Sequence, residues 1–137
     1  DKFNELVLPP LMAECGLVYT TELKGKANKP WRKLTEVSFL KRGFRYEDLF
    51  GCYVGPLDLS SVLEIPCWTK KANGMEIFYD NLNVFIRELS IHDSDTFNYY
   101  SKAIRKALSS KGIDTERTQI FKSRKVLMVN ELGFNTF

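Results

Sequence analysis

The order of elements along this 137-residue sequence predicts an α+β fold, with short strands ahead of a small helical bundle. Three observations carry that expectation. Residues 37–54 hold two strand-like runs, Val37 to Lys41 and Phe44 to Val54, with Gly43 and Gly51 flanking a hairpin return. Residues 75–90 repeat apolar side chains at Phe78, Leu82, Phe85 and Leu89, the spacing of one helix face. A second stripe at helical spacing follows, through Phe97, Tyr100, Ile104 and Leu108.

The remaining elements follow in chain order. Residues 4–15 read as a helix, but Pro9 and Pro10 suit only a first turn, so the firm part is residues 10–15. Gly16 is a natural stop for it. Leu17 to Thr21 is short and β-prone, and residues 24–35 read as a basic loop broken by Asn28 and Pro30. After the hairpin, Asp58 can cap a short helix carrying Leu59, Val62 and Leu63 on one face, which Pro66 ends. Asp93 or Ser94 can cap the helix of the second stripe, and Gly112 stops it. From Asp114 onward no period emerges, and Val126 to Val129 suits a strand or a helix.

Apolar residues make up 44% and charged residues 27%, an ordinary globular composition with enough chain for one core. No apolar run approaches the ~18 residues of a membrane span, and no signal pattern opens the chain. Cys15, Cys52 and Cys67 lie too far apart for a zinc pattern and are expected to be buried free thiols of a reducing compartment. His92, the single histidine, falls at a helix end and is expected to partner the C-terminal dipole rather than to catalyse.

The net charge of +3 hides an uneven distribution. Residues 24–45 set Lys24, Lys26, Lys29, Arg32, Lys33, Lys41, Arg42 and Arg45 against Glu36 alone, a local +7. Residues 102–125 reach +6, so everything outside the two islands sums to −10. Two basic islands on an acidic background suggest a polyanion held at defined places, and two solvated surface segments are the plainer reading.

Chemistry is conspicuous by what the sequence lacks. Two-metal nucleotidyl transfer needs converging carboxylates, and here no aspartate precedes another by five residues or adjoins one. There is no G-x-x-x-x-G-K-[ST] loop, no G-x-S-x-G elbow, and no partner for a histidine-based catalyst. The isolated chain is expected to be inactive.

Three strings carry a resemblance. Phe39-Leu40-Lys41-Arg42, at a strand-to-turn junction, resembles motif E, the primer grip, of picornavirus-like RNA-dependent RNA polymerases. Upstream, Met12 to Lys24 resembles motif D of the same enzymes: a helix, a glycine, a short strand and a lysine. Downstream, Val54 to Leu59, Val62-Leu63-Glu64 and Trp68 to Lys71 are similar to the start of the thumb, in the dicistrovirus and iflavirus branch particularly. The matches fall in the family's order across roughly residues 8–110.

The resemblance implies a right-hand polymerase that adds nucleotides to an RNA 3′ end. Residues 1–56 would be the end of its palm, with motif D and the motif E hairpin. Residues 57–137 would be a mainly helical thumb, with the last ~25 residues unassigned. It implies Lys24 as the acid that protonates departing pyrophosphate, Lys41 and Arg42 as cations on the primer, and Phe39 and Leu40 as seats for that hairpin. Lys70, Lys71, Lys102, Arg105 and Lys106 are further candidate RNA contacts. Magnesium held by aspartates upstream of Asp1, nucleoside triphosphates, template and primer RNA, and the remaining palm and fingers are the implied cofactor, substrates and partners. Viral replication complexes in the host cytoplasm are the implied location. The alternative class is a non-enzymatic basic RNA-binding module; a small helical protein-interaction domain is a third. A Gly-Asp-Asp a few tens of residues upstream separates the first from both.

Overall fold

The computed structural model describes residues 3–22, 24–68 and 74–133. Among these residues the architecture is α+β: five α-helices and a two-stranded antiparallel sheet.

Helix α1 runs Leu8–Glu14 with both prolines in its first turn. It starts later than residue 4 because the Asn4 side chain accepts from the Leu6 and Val7 N–H groups and folds that stretch into a turn. Gly16, at φ +75°, ends it as expected. None of its residues is buried. Leu17 to Thr21, expected as a strand, forms no ladder, and Val18 is 91% exposed. A strand exists only with a partner to pair its amides, and no described segment supplies one. Instead Arg32 ties this region together, gripping Glu5 through Nε and Nη2 and Glu22 through both Nη atoms.

The hairpin pairs β1, Arg45–Glu47, with β2, Cys52–Val54, matching Arg45 to Val54, Tyr46 to Tyr53 and Glu47 to Cys52. An isolated bridge, Arg42 to Leu57, continues the same register beyond the strands. Gly51, at φ +63°, closes the return by donating to the Glu47 carbonyl at 2.9 Å. The expected strand Val37 to Lys41 is not formed. Residues Leu34–Glu36 make a 3-10 turn, and Phe39 and Arg42 then exchange both backbone hydrogen bonds, at 2.8 and 2.9 Å. Between them Leu40 and Lys41 stand at φ 51° and 62°. Two positive φ angles are the mark of the two-residue turn whose twist suits a hairpin, and they cost side-chain-bearing residues ~1–2 kcal/mol each.

Helix α2, Leu59–Glu64, is capped by Asp58, whose carboxylate accepts from the Ser61 N–H at 3.2 Å. A 3-10 turn, Ile65–Cys67, absorbs Pro66. Helix α3, Gly74–Ser90, buries Leu82, Phe85, Ile86 and Leu89; α4, Ser94–Ser110, buries Phe97 and Leu108 and is capped by Asp93. The expected stripes are therefore the core faces of these two helices. The tail resolves as a helix: α5, Arg124–Leu132, ends at Gly133 with φ +66°. Ile120 and Leu127 are fully buried in the same cluster as Val62, Leu82 and Leu89. Met128 joins Val54 and Ile91 under the hairpin. The cysteines are free, but burial is corrected: Cys15 and Cys67 are exposed and Cys52 is half-buried. Cys15 ends a helix that buries nothing, and Cys67 sits on a surface turn.

Candidate nucleic-acid interface

The turn at Phe39 to Arg42 lifts Lys41 out of the fold. Its carbonyl accepts from the Asp58 N–H at 2.7 Å, and its ammonium approaches the Ser61 hydroxyl at 3.3 Å. Lys41 is exposed and closes no ion pair among the described residues. Phe39 and Leu40 are also exposed, at 69% and 78%. Beside the turn lies an open cavity of about 480 Å³ lined by Ser38, Lys41, Asp58 and His92. Asp58 is held below the usual carboxylate range by hydrogen bonds from Ser60 and Ser61, with Lys41 adding to the effect.

Arg42 points the other way. Its guanidinium meets both oxygens of Glu88, at 2.6 and 2.9 Å, and donates to the Gly55 carbonyl at 2.9 Å. The Glu88 hydrogen bond raises the Arg42 pKa further above its ordinary value. Arg45 likewise turns inward, onto Glu47 and the Ile91 and His92 carbonyls. Much of the first basic island is thus neutralised within the fold. Arg32 holds Glu22 down at about pKa 2, and Lys29 pairs with Glu36 at 3.4 Å.

Lys24 sits at φ 57° in a tight loop, its N–H donating to the Thr21 carbonyl at 2.8 Å. Thr21 also exchanges hydrogen bonds with Gly25, so the loop is pinned at its base. Lys24 is exposed and makes no ion pair among the described residues.

The second island divides in the same way. Lys102 and Lys106 are exposed on α4. Arg105 instead clamps the following loop, donating to the Ile120 carbonyl at 2.8 Å with its guanidinium 5.5 Å from the Phe121 ring centroid. Arg124 is drawn onto Glu47 and the His92 carbonyl. Lys70 and Lys71 lie outside the described residues.

His92 departs from its expected role. Burial lowers its pKa, while a hydrogen bond to the Leu57 backbone works against that shift. Its Nε2 is buried and finds no hydrogen-bond partner among the described residues. A ring favoured as neutral is a poor match for a helix dipole; Arg45 and Arg124 instead place their charge just past the end of α3, on the Ile91 and His92 carbonyls. Sequence reasoning missed Glu88 and Glu47, the carboxylates that decide which cations stay free. An acidic residue on a polar helix face or in a strand carries no signal of a partner so far away in the chain.

No family model matches the chain. Curated relatives do. A replicase polyprotein of acute bee paralysis virus (strain Rothamsted) is 34% identical over 111 residues, 77% of this chain and 6% of the polyprotein. The Drosophila C virus (strain EB) replicase polyprotein is 28% identical over 103 residues, 74% of this chain and 6% of that protein. The cricket paralysis virus replicase polyprotein is 29% identical over 119 residues, 86% of this chain and 7% of that protein. This chain is a relative of one segment of picorna-like viral replicase polyproteins. The three viruses are dicistroviruses, one of the branches that the thumb strings resemble. The replicase segment spans about 6% of the length of the first two polyproteins. Among its described residues no helix is long and apolar enough to cross a membrane.

Proposed function

We propose that this replicase segment is the end of the palm and the thumb of an RNA-directed RNA polymerase that copies a viral RNA genome. Residues 1–56 form the palm end and residues 57–137 the thumb. Template and primer RNA, nucleoside triphosphates and the rest of the palm and fingers are its partners, at replication complexes in the host cytoplasm.

The observation that carries this reading is the turn at Leu40 and Lys41. A cation meant to steady a phosphate backbone must sit on a rigid element, because phosphate contacts set register without reading sequence. Lys41 is exposed on a two-residue turn braced by three backbone hydrogen bonds, two between Phe39 and Arg42 and one from Asp58. Phe39 and Leu40, exposed beside it, offer apolar surface to the palm or to the primer strand. Lys102 and Lys106 add an outer basic face on α4 for the duplex leaving the site.

In the reaction the primer 3′ hydroxyl loses its proton to solvent, its oxygen bonds to the α-phosphorus of the incoming nucleotide, and the bond from that phosphorus to the oxygen bridging to the β-phosphate breaks. Lys24 would give its proton to the departing pyrophosphate from a loop pinned at Thr21 and Gly25. Magnesium supplies charge neutralisation in this chemistry. Its ligands would be carboxylates of the preceding palm.

The test is to measure primed RNA binding by the complete polymerase at several salt concentrations. Lys41→Met should weaken binding at low salt and make the log–log salt slope shallower by about one. Its melting temperature should stay unchanged. A Lys41→Met protein that binds primed RNA with unaltered affinity and slope would sink the primer-grip reading.

A further inference from the structure

We propose that Arg42 is a positioning residue that does not touch RNA: its pair with Glu88 locks the turn to helix α3 and so aims Lys41. This rests on the primer-grip reading of Lys41 and deepens it.

The argument begins with the turn. Leu40 and Lys41 hold positive φ angles that residues with side chains avoid, so the turn needs external bracing to keep them. Part of the bracing is backbone: the Phe39–Arg42 exchange, and the Asp58 N–H on the Lys41 carbonyl. Those bonds tie the turn only to neighbouring loop and to the first turn of α2. Arg42 adds a hydrogen-bonded link from the turn to helix α3, across 46 residues of sequence.

Glu88 is a fixed point. It lies on α3 between Ile86 and Leu89, both fully buried. A planar guanidinium meeting both carboxylate oxygens defines an orientation as well as a distance, which a single-point contact does not. The Gly55 carbonyl takes a further bond from the same Nη1 atom, fixing the guanidinium from a second side.

The same geometry argues against an RNA contact by Arg42. To reach a phosphate, the guanidinium would have to release Glu88, whose side chain is only 12% exposed. That leaves a nearly buried carboxylate without its counter-charge, which is strongly unfavourable. Lys41, which closes no ion pair among the described residues, faces no such barrier. Of the two adjacent cations, one is spent on architecture so that the other is aimed.

The experiment uses the complete polymerase, with primed RNA affinity measured against salt and melting temperature recorded alongside. Glu88→Gln discriminates by sign. If Arg42 were an RNA contact, removing its competing carboxylate would leave binding intact or tighten it. A positioning role predicts that Glu88→Gln weakens binding roughly tenfold, as expected for loss of a charge-assisted hydrogen bond. Arg42→Met should do the same, and the double variant no more than either alone. Each should make the salt slope shallower, by up to about one, as Lys41 loses its phosphate. A pair that is merely structural would lower the melting temperature and leave the slope unchanged, which overturns the proposal.

Arg42→Lys settles the matter even where Glu88→Gln folds poorly. It keeps the charge and loses the two-point geometry, so it should bind as weakly as Arg42→Met. An Arg42→Lys protein with wild-type affinity and slope would mean that charge alone is needed, and Arg42 would return to the RNA. Failure of the primer-grip reading shows separately, as a Lys41→Met protein whose RNA binding is normal.

Discussion

Arg124, in the first turn of α5, donates to the carboxylate of Glu47 at the end of β1, 77 residues earlier. Arg45 reaches the same oxygen at 2.5 Å, and both guanidiniums also donate to the His92 carbonyl. One carboxylate, 6% exposed, therefore joins the hairpin, the corner between α3 and α4, and the last helix. Buried charge is tolerated here because both Glu47 oxygens are met: Oε2 accepts from Arg45 and Arg124, and Oε1 from the Leu49 N–H.

The cluster predicts a defined acid response. Burial by itself pushes the Glu47 carboxyl upward, but hydrogen bonds from Arg124, Arg45 and the Leu49 N–H outweigh it and hold the pKa at about 2. In the unfolded chain the group titrates near 4.5. Its contribution is thus fully present above about pH 4.5 and is lost as the pH falls toward 2. Glu47→Gln should cost about 3 kcal/mol at pH 7, the range for removing one partner of a buried pair. Urea unfolding should find the gap to wild type narrowing as the pH approaches 2.5. A gap that stays constant across that window would take the charge out of the explanation.

Leu127 tests the place of α5 in the core. It is fully buried against the α2, α3 and α4 residues of the main cluster. Leu127→Ala should cost about 2–5 kcal/mol, whereas Val126→Ala, at a 46% exposed position, should stay within about 0.5. Equal small losses at both positions would mean that α5 is a loosely docked tail.

Leu40 is 78% exposed and held at φ 51°, so its side chain gains little there and its backbone is strained. Asparagine adopts this conformation more readily. Leu40→Asn should therefore raise the unfolding free energy by about 0.5–1 kcal/mol, read from the denaturant midpoint at unchanged slope. A fall in stability would show that the Leu40 side chain makes a contact worth more than the strain.

Lys24 is separable from its neighbours by kinetics. In the complete polymerase, Lys24→Leu should slow single-turnover nucleotide incorporation at least about tenfold, with nucleotide affinity little changed and the solvent deuterium isotope effect reduced. Lys26→Leu and Lys29→Leu should do much less; Lys29 is already paired with Glu36. Comparable small effects at all three would leave the loop a passive basic surface.

Local pattern alone determined a good part of this protein. The stripes through Leu82, Phe85 and Leu89 and through Phe97 and Leu108 are core faces, because a helix must bury what recurs along one side of it. Asp58 and Asp93 cap the helices they precede, because a carboxylate next to free amides needs no information from elsewhere. The string Phe39 to Arg42 marked the place of a turn. Its shape was not legible: a leucine and a lysine at positive φ contradict their own preferences, and only surrounding hydrogen bonds hold them there.

What tertiary structure decided lies wherever the partner is distant in sequence. Val126 to Val129 has no period, and α5 is recognisable only through what its buried residues pack against: Leu127 in the core formed by α2, α3 and α4, and Met128 beside Val54 and Ile91. Leu17 to Thr21 has the composition of a strand and lacks a neighbour to pair with among the described residues. Most of all, the two basic islands looked uniform, yet Arg32, Arg42, Arg45 and Arg124 turn inward while Lys24, Lys41, Lys102 and Lys106 stay exposed. A guanidinium can satisfy a carboxylate and a carbonyl together in a partly buried site, whereas an ammonium keeps its hydration more cheaply at the surface. Which arginine finds which glutamate depends on distances that exist only once the chain has folded.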